Sequence, residues 1–126
     1  MKKFAIVALA AIFACCIEAS LHTSIHTDKD VYHSREPMLI TLRIESPSDM
    51  QVKIWIYGIK NMRGQYLLNI EREANLSAGV NELNFSYTTP LCSKCAGLPP
   101  GEYFINSSVM YGGISSNSST KIRIEI

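Results

Sequence analysis

From Ser20 onward the apolar residues recur at every second position, and that alternation restricts the chain to extended strands. Met38, Ile40, Leu42 and Ile44 alternate with Leu39, Thr41, Arg43 and Glu45, the pattern of a strand with one buried and one wetter face. Val52, Ile54 and Ile56 alternate in the same way with Lys53, Trp55 and Tyr57, and Leu83, Phe85 and Tyr87 with Glu82, Asn84 and Ser86. At the end of the sequence Ile122, Ile124 and Ile126 oppose Lys121, Arg123 and Glu125. No stretch longer than two turns carries a helical stripe. Further strands are expected over 21–27, 65–71 and 102–111, separated by turns at Ser46-Pro47-Ser48-Asp49, Met62-Arg63-Gly64 and Asn75-Leu76-Ser77-Ala78-Gly79 and by a long connection from Pro90 to Gly101. The expectation is an all-β chain, an antiparallel β-sandwich of about seven strands.

The first residues follow a different rule. Met1, Lys2 and Lys3 precede an apolar run from Phe4 to Ile17, after which Glu18-Ala19-Ser20 restores polarity. This order predicts an N-terminal secretory signal helix, shorter than the roughly 20 apolar residues of a spanning helix. Cleavage after Ala19 divides the chain into a signal peptide, 1–19, and one sandwich domain, 20–126. The expected location is secreted or extracytoplasmic. Membrane association is expected only through an uncleaved signal or a lipid anchor, because Cys15 and Cys16 stand near the signal's end without the pair of small residues that a lipidation site needs before its cysteine. Loss of 1–19 leaves ten basic against ten acidic residues, and no basic cluster. A nucleic-acid partner is therefore not expected.

The segment Thr27-Asp28-Lys29-Asp30-Val31-Tyr32-His33-Ser34-Arg35-Glu36-Pro37-Met38 resembles the opening of macroglobulin-type immunoglobulin-like modules of prokaryotic surface proteins. Those modules read Thr-Asp-Lys, then Tyr, then Gly-Glu before an alternating strand; here Arg35 stands in place of that Gly. Leu98-Pro99-Pro100-Gly101-Glu102-Tyr103 is similar to their Pro-Gly-x-Tyr entry to the penultimate strand. The resemblance implies an immunoglobulin-like sandwich in a surface or secreted assembly. Antibody-type domains carry an inter-sheet cysteine pair beside a buried Trp, and this chain has neither on the expected strands.

Cys92-Ser93-Lys94-Cys95 is the sharpest local motif. A disulfide between Cys92 and Cys95 would staple the long connection in an oxidising compartment. A redox pair would need a helix N-terminus to activate the thiol, and zinc would need two further ligands. His22 and His26 share a strand face about 13 Å apart, too far for one ion, so no metal site and no cofactor are expected. Asn75, Asn84, Asn106 and Asn117 each open an acceptor sequon for N-glycosylation. Trp55 and Tyr57 form an aromatic strip on the outer side of one strand, the cluster best suited to partner contact.

The carboxylates are scattered, no Gly-rich loop leads into a helix, and no nucleophile-elbow pattern occurs, so no enzyme activity is expected. The reading is an exported, non-catalytic immunoglobulin-like module that binds or supports a cell-envelope or extracellular partner, a protein or a glycan. The alternative is a metal-binding or redox protein built on Cys92 and Cys95. An edge strand completing a neighbour's sheet is a further route to a supporting role.

Overall fold

The computed structural model describes residues 20–93 and 97–126, all strand, turn and loop. The expected signal helix and cleavage point, and Cys95 of the expected disulfide, lie outside the described residues. No helix among those residues is long and apolar enough to cross a membrane.

The described residues form eight strands: β1 His22–Thr27, β2 Val31–His33, β3 Pro37–Ser46, β4 Met50–Lys60, β5 Tyr66–Leu76, β6 Gly79–Thr88, β7 Gly101–Tyr111 and β8 Ile114–Glu125. They build a three-stranded sheet, β1-β3-β6, and a five-stranded sheet, β2-β8-β7-β4-β5. The chain is thus a two-sheet β-sandwich. Between the sheets lie the residues that alternation assigns to the core. Ile40, Leu42 and Ile44 of β3 meet Ile54 and Ile56 of β4, with Phe85, Ile105, Val109 and Ile124 closing the layer. Each such side chain contributes about 1.5–3 kcal/mol on removal from water, which makes this layer the main source of cohesion.

Three expectations are corrected. The strand count is eight, because Val31–His33 forms a short strand of its own. That strand runs parallel to β8, so the sandwich is antiparallel except at this edge. Tyr32 is the reason: its fully buried ring sits opposite Ile124, and its hydroxyl donates to the Asp28 carboxylate. Third, β5 continues through Asn75 to Leu76, and β8 begins at Ile114 rather than near Thr120, so Asn75 and Asn117 are strand residues. Gly112 and Gly113, at φ 52° and 80°, make the two-residue turn into β8. The Ser-rich run after it lacks apolar alternation, and hydrogen bonds replace it: the Ser107 and Ser118 hydroxyls pair across the strands, and Ser119 donates to Asn106 at 2.9 Å.

The turn before β3 forms with Arg35 in the left-handed region, φ 57°, the conformation that a glycine there would adopt without cost. Its N–H donates to the Thr89 carbonyl at 3.1 Å, and the Glu36 N–H to the Thr89 hydroxyl at 2.7 Å.

Candidate functional site

The outer side of the five-stranded sheet carries a cluster of aromatic side chains. Val52, Ile54 and Ile56 point into the core, so Lys53, Trp55 and Tyr57 point out. Register then fixes their neighbours. Tyr57 lies between Asn69 and Asn106, and Trp55 between Glu71 and Ser108. One strand further, Asn106 faces Ser119 and Ser108 faces Asn117.

The expected aromatic strip is therefore present, and its rings pack on one another. The Trp55 and Tyr57 rings stack at 3.9 Å between centroids and 21° between planes. Tyr66 adds an edge-on contact to Tyr57 at 5.1 Å, and the Trp55 indole N–H donates to Asn69 Oδ1 at 2.6 Å. Trp55 and Tyr57 are only half-buried, so the stack is a preorganised ridge on the sheet rather than part of the core. The most exposed ring on this side is Phe104, at 58%.

Beside the ridge the sheet opens. Pairing between β4 and β7 stops at Gly58 opposite Ile105, and a groove of about 310 Å3 begins there, walled by Lys60, Tyr66, Glu102, Phe104 and Asn106. Lys121 sits 2.9 Å from Glu102 and holds its carboxyl below the usual carboxylate value. The Lys60 ammonium stands 5.8 Å over the Tyr66 ring. Alternation placed Trp55 and Tyr57 on this side; it could also have placed Phe104 there, one residue before buried Ile105. The groove itself needs the β4–β7 divergence, which no local pattern reveals. A wider depression, about 510 Å3, lies over His22, Ser24, Arg43 and Glu45 on the other sheet, but no Phe, Tyr or Trp lines it.

The four sequon asparagines divide between the faces. Asn75 and Asn117 are exposed on the five-stranded sheet, and Asn106 on the same sheet is half-buried at the groove. Asn84 is exposed on the three-stranded sheet, where its side-chain oxygen accepts the Thr41 hydroxyl at 3.0 Å.

Cys92 is buried, 1% exposed, with its sulfur 3.9 Å from the Ile124 carbonyl oxygen. Burial pushes its thiol upward, the opposite of the shift that makes a nucleophilic or metal-binding thiolate. Ser34 fixes the backbone there, accepting the Cys92 N–H at 2.8 Å. His22 and His26 are exposed and four residues apart on β1; among the described residues no group of three or more His, Cys, Asp or Glu could hold a metal ion.

No family model matches the chain, and no curated protein matches it. Solved structures do. The sporulation control protein of Bacillus subtilis is similar with a TM-score of 0.59 and 14% identity, over 85% of this chain and 50% of that one. A β-glucosidase of Erythrobacter marinus aligns at 0.59 and 11% identity, over 84% of this chain and 15% of the other. The alkylpurine DNA glycosylase of Pseudomonas fluorescens aligns at 0.57 and 13%, over 89% and 33%. This chain thus spans half or less of each of these neighbours, and at such identities the likeness shows an all-β fold alone.

Proposed function

We propose that the chain is an exported, non-catalytic immunoglobulin-like module that binds a cell-envelope or extracellular partner through the outer face of its five-stranded sheet. The immunoglobulin-like assignment is supported by strand order. With β1, β3 and β6 as strands A, B and E, and β8, β7 and β4 as G, F and C, the order is that of immunoglobulin sheets, with β5 added beside C in a C′-type position, the short β2 added beside G, and no D strand beside E among the described residues. The macroglobulin-type resemblance gains support from Arg35, whose left-handed backbone occupies the place of the family's glycine.

The observation that carries the binding reading is the Trp55–Tyr57 stack on the same sheet face as exposed Phe104. Rigid aromatic side chains lose little freedom on binding and supply much of the energy at interfaces. A redox or metal role at Cys92 and Cys95 is disfavoured by the burial of Cys92.

The test is sedimentation of the labelled protein with cell envelopes from its own host. Wild type is expected to pellet, and a Phe104→Ala variant with unchanged circular dichroism to stay in the supernatant. Pelleting unaffected by both Phe104→Ala and Trp55→Ala would overturn the assignment of this face.

A further inference from the structure

The groove beside the aromatic ridge is built at a cost in backbone freedom. At Gly58 the β4 and β7 backbones touch: a Cβ there would lie 2.1 Å from the Phe104 carbonyl oxygen, so only glycine fits. The next residue, Ile59, is β-branched yet sits at φ 51°, with its side chain fully buried. A β-branched residue in the left-handed region is an outlier that the surroundings must enforce. The double kink ends the β4–β7 pairing and opens the fork in which Tyr66 and Phe104 stand exposed, 42% and 58%.

Charge in the fork is unbalanced. Glu102 is already matched by Lys121, whereas Lys60 has no ion-pair partner among the described residues. The groove therefore carries one positive charge without an ion-pair partner, over the Tyr66 ring, with the Asn106 amide and the Tyr66 hydroxyl as further hydrogen-bonding groups.

Resting on the binding reading above, we infer that the groove takes a carboxylated pyranose, a uronic-acid unit of an acidic polysaccharide. The C–H face of the sugar ring packs on Phe104 and Tyr66, its hydroxyls meet Asn106 and Tyr66, and its carboxylate meets Lys60. A volume of about 310 Å3 suits one or two sugar rings and lies at the lower end of ligand-site sizes. A neutral sugar would leave the Lys60 charge unanswered. An acidic peptide adding as a strand in the fork would find only Ile59 and Lys60 of β4 and Gly101 to Phe104 of β7 beyond the last β4–β7 pair, short of the roughly 5–6 residues of a usual strand.

Affinity electrophoresis of the purified chain in gels containing polygalacturonate tests this. Fully methyl-esterified polygalacturonate, dextran and poly-glutamate serve as comparison polymers. Retardation by polygalacturonate alone is expected. Lys60→Gln and Phe104→Ala should each weaken it about ten-fold, the effect of losing one well-placed contact, while Arg43→Gln, on the other sheet, leaves it unchanged. Should alanine unfold the chain, Phe104→Leu removes the ring at similar volume and reads the same stacking. Equal retardation by poly-glutamate or by the esterified polymer, or an equal loss with Arg43→Gln, overturns the uronate assignment. So does the absence of retardation by any polymer. In each case envelope sedimentation decides separately whether the face still binds a partner.

Discussion

Tyr57 and Asn106 face each other across the β4–β7 pair on the outer side of the five-stranded sheet. The residue best placed for contact is thereby the direct neighbour of an asparagine that opens a sequon. Both roles cannot be filled in one molecule, because a glycan on Asn106 would stand over Tyr57 and occupy the groove. In a glycosylating host, molecules that mass spectrometry finds modified at Asn106 are expected to fail in envelope sedimentation. Ser108→Ala, which deletes that sequon, should restore full sedimentation. A glycan on Asn84, on the opposite sheet, should leave sedimentation unchanged. Sedimentation of the Asn106-modified form would show that the contact lies elsewhere.

Asp28 and Tyr32 predict the pH dependence of stability. Asp28 Oδ1 accepts both the Tyr32 hydroxyl and the Leu39 N–H, which ties the β1–β2 link to β3. Chiefly through the Tyr32 hydrogen bond, the Asp28 carboxyl is held below its ordinary value of 3.8. A depressed carboxylate stabilises the fold above its unfolded value, and that contribution is lost as pH falls from there through the folded value. Burial, with Asp28 adding to it, pushes the Tyr32 hydroxyl up to about 12 from 10.0. Its contribution is complete below 10.0 and is lost as pH climbs toward about 12. Urea midpoints should thus fall at both extremes, and Asp28→Asn should flatten the acid limb. Tyr32→Phe should cost about 1 kcal/mol at neutral pH and shrink the alkaline limb. An acid limb unchanged in Asp28→Asn would refute the assignment.

Arg35 offers a test of the opposite sign. Its left-handed backbone, φ 57°, costs a residue with a Cβ energy that glycine does not spend, and the Arg35 side chain is exposed. Arg35→Gly is expected to raise stability by about 0.5–1 kcal/mol, after the entropy that glycine adds to the unfolded chain is deducted. A lower thermal midpoint for Arg35→Gly would mean that the side chain holds the turn by contacts that outweigh the strain.

The legible part of this fold was the part governed by alternation. Met38 to Ile44 and Val52 to Ile56 announced their buried faces because each strand has a dry and a wet side. The Ser115–Thr120 half of β8 stayed hidden because its inward Ser118 is held by the Ser107 hydroxyl rather than by apolar packing. Parallel pairing of β2 with β8 joins residues ninety-two apart in sequence, as Val31 with Arg123, and no local pattern reports a partner at that distance. The site divides in the same way. Trp55 and Tyr57 were readable from one strand, whereas the groove depends on Gly58 touching the Phe104 carbonyl, a meeting of two strands.

Cys92 is the remaining place where sequence and structure can be set against each other by experiment. Its sulfur packs beneath β8 near the Ile124 carbonyl, and the loop it begins returns through the Ser93–Leu98 bridge, where the Leu98 N–H donates to Ser93 at 3.0 Å. Iodoacetamide added to the native protein should leave Cys92 unlabelled, since the thiol is only 1% exposed and burial raises its pKa. Unfolding in guanidinium removes that protection and leaves only covalent chemistry to block the reagent. If the chain is exported and bridged between Cys92 and Cys95, labelling in guanidinium should then require prior reduction, and the peptide mass should show the linked pair. Labelling in guanidinium without a reductant would establish a free thiol, and with it the loss of the disulfide that the exported reading expects.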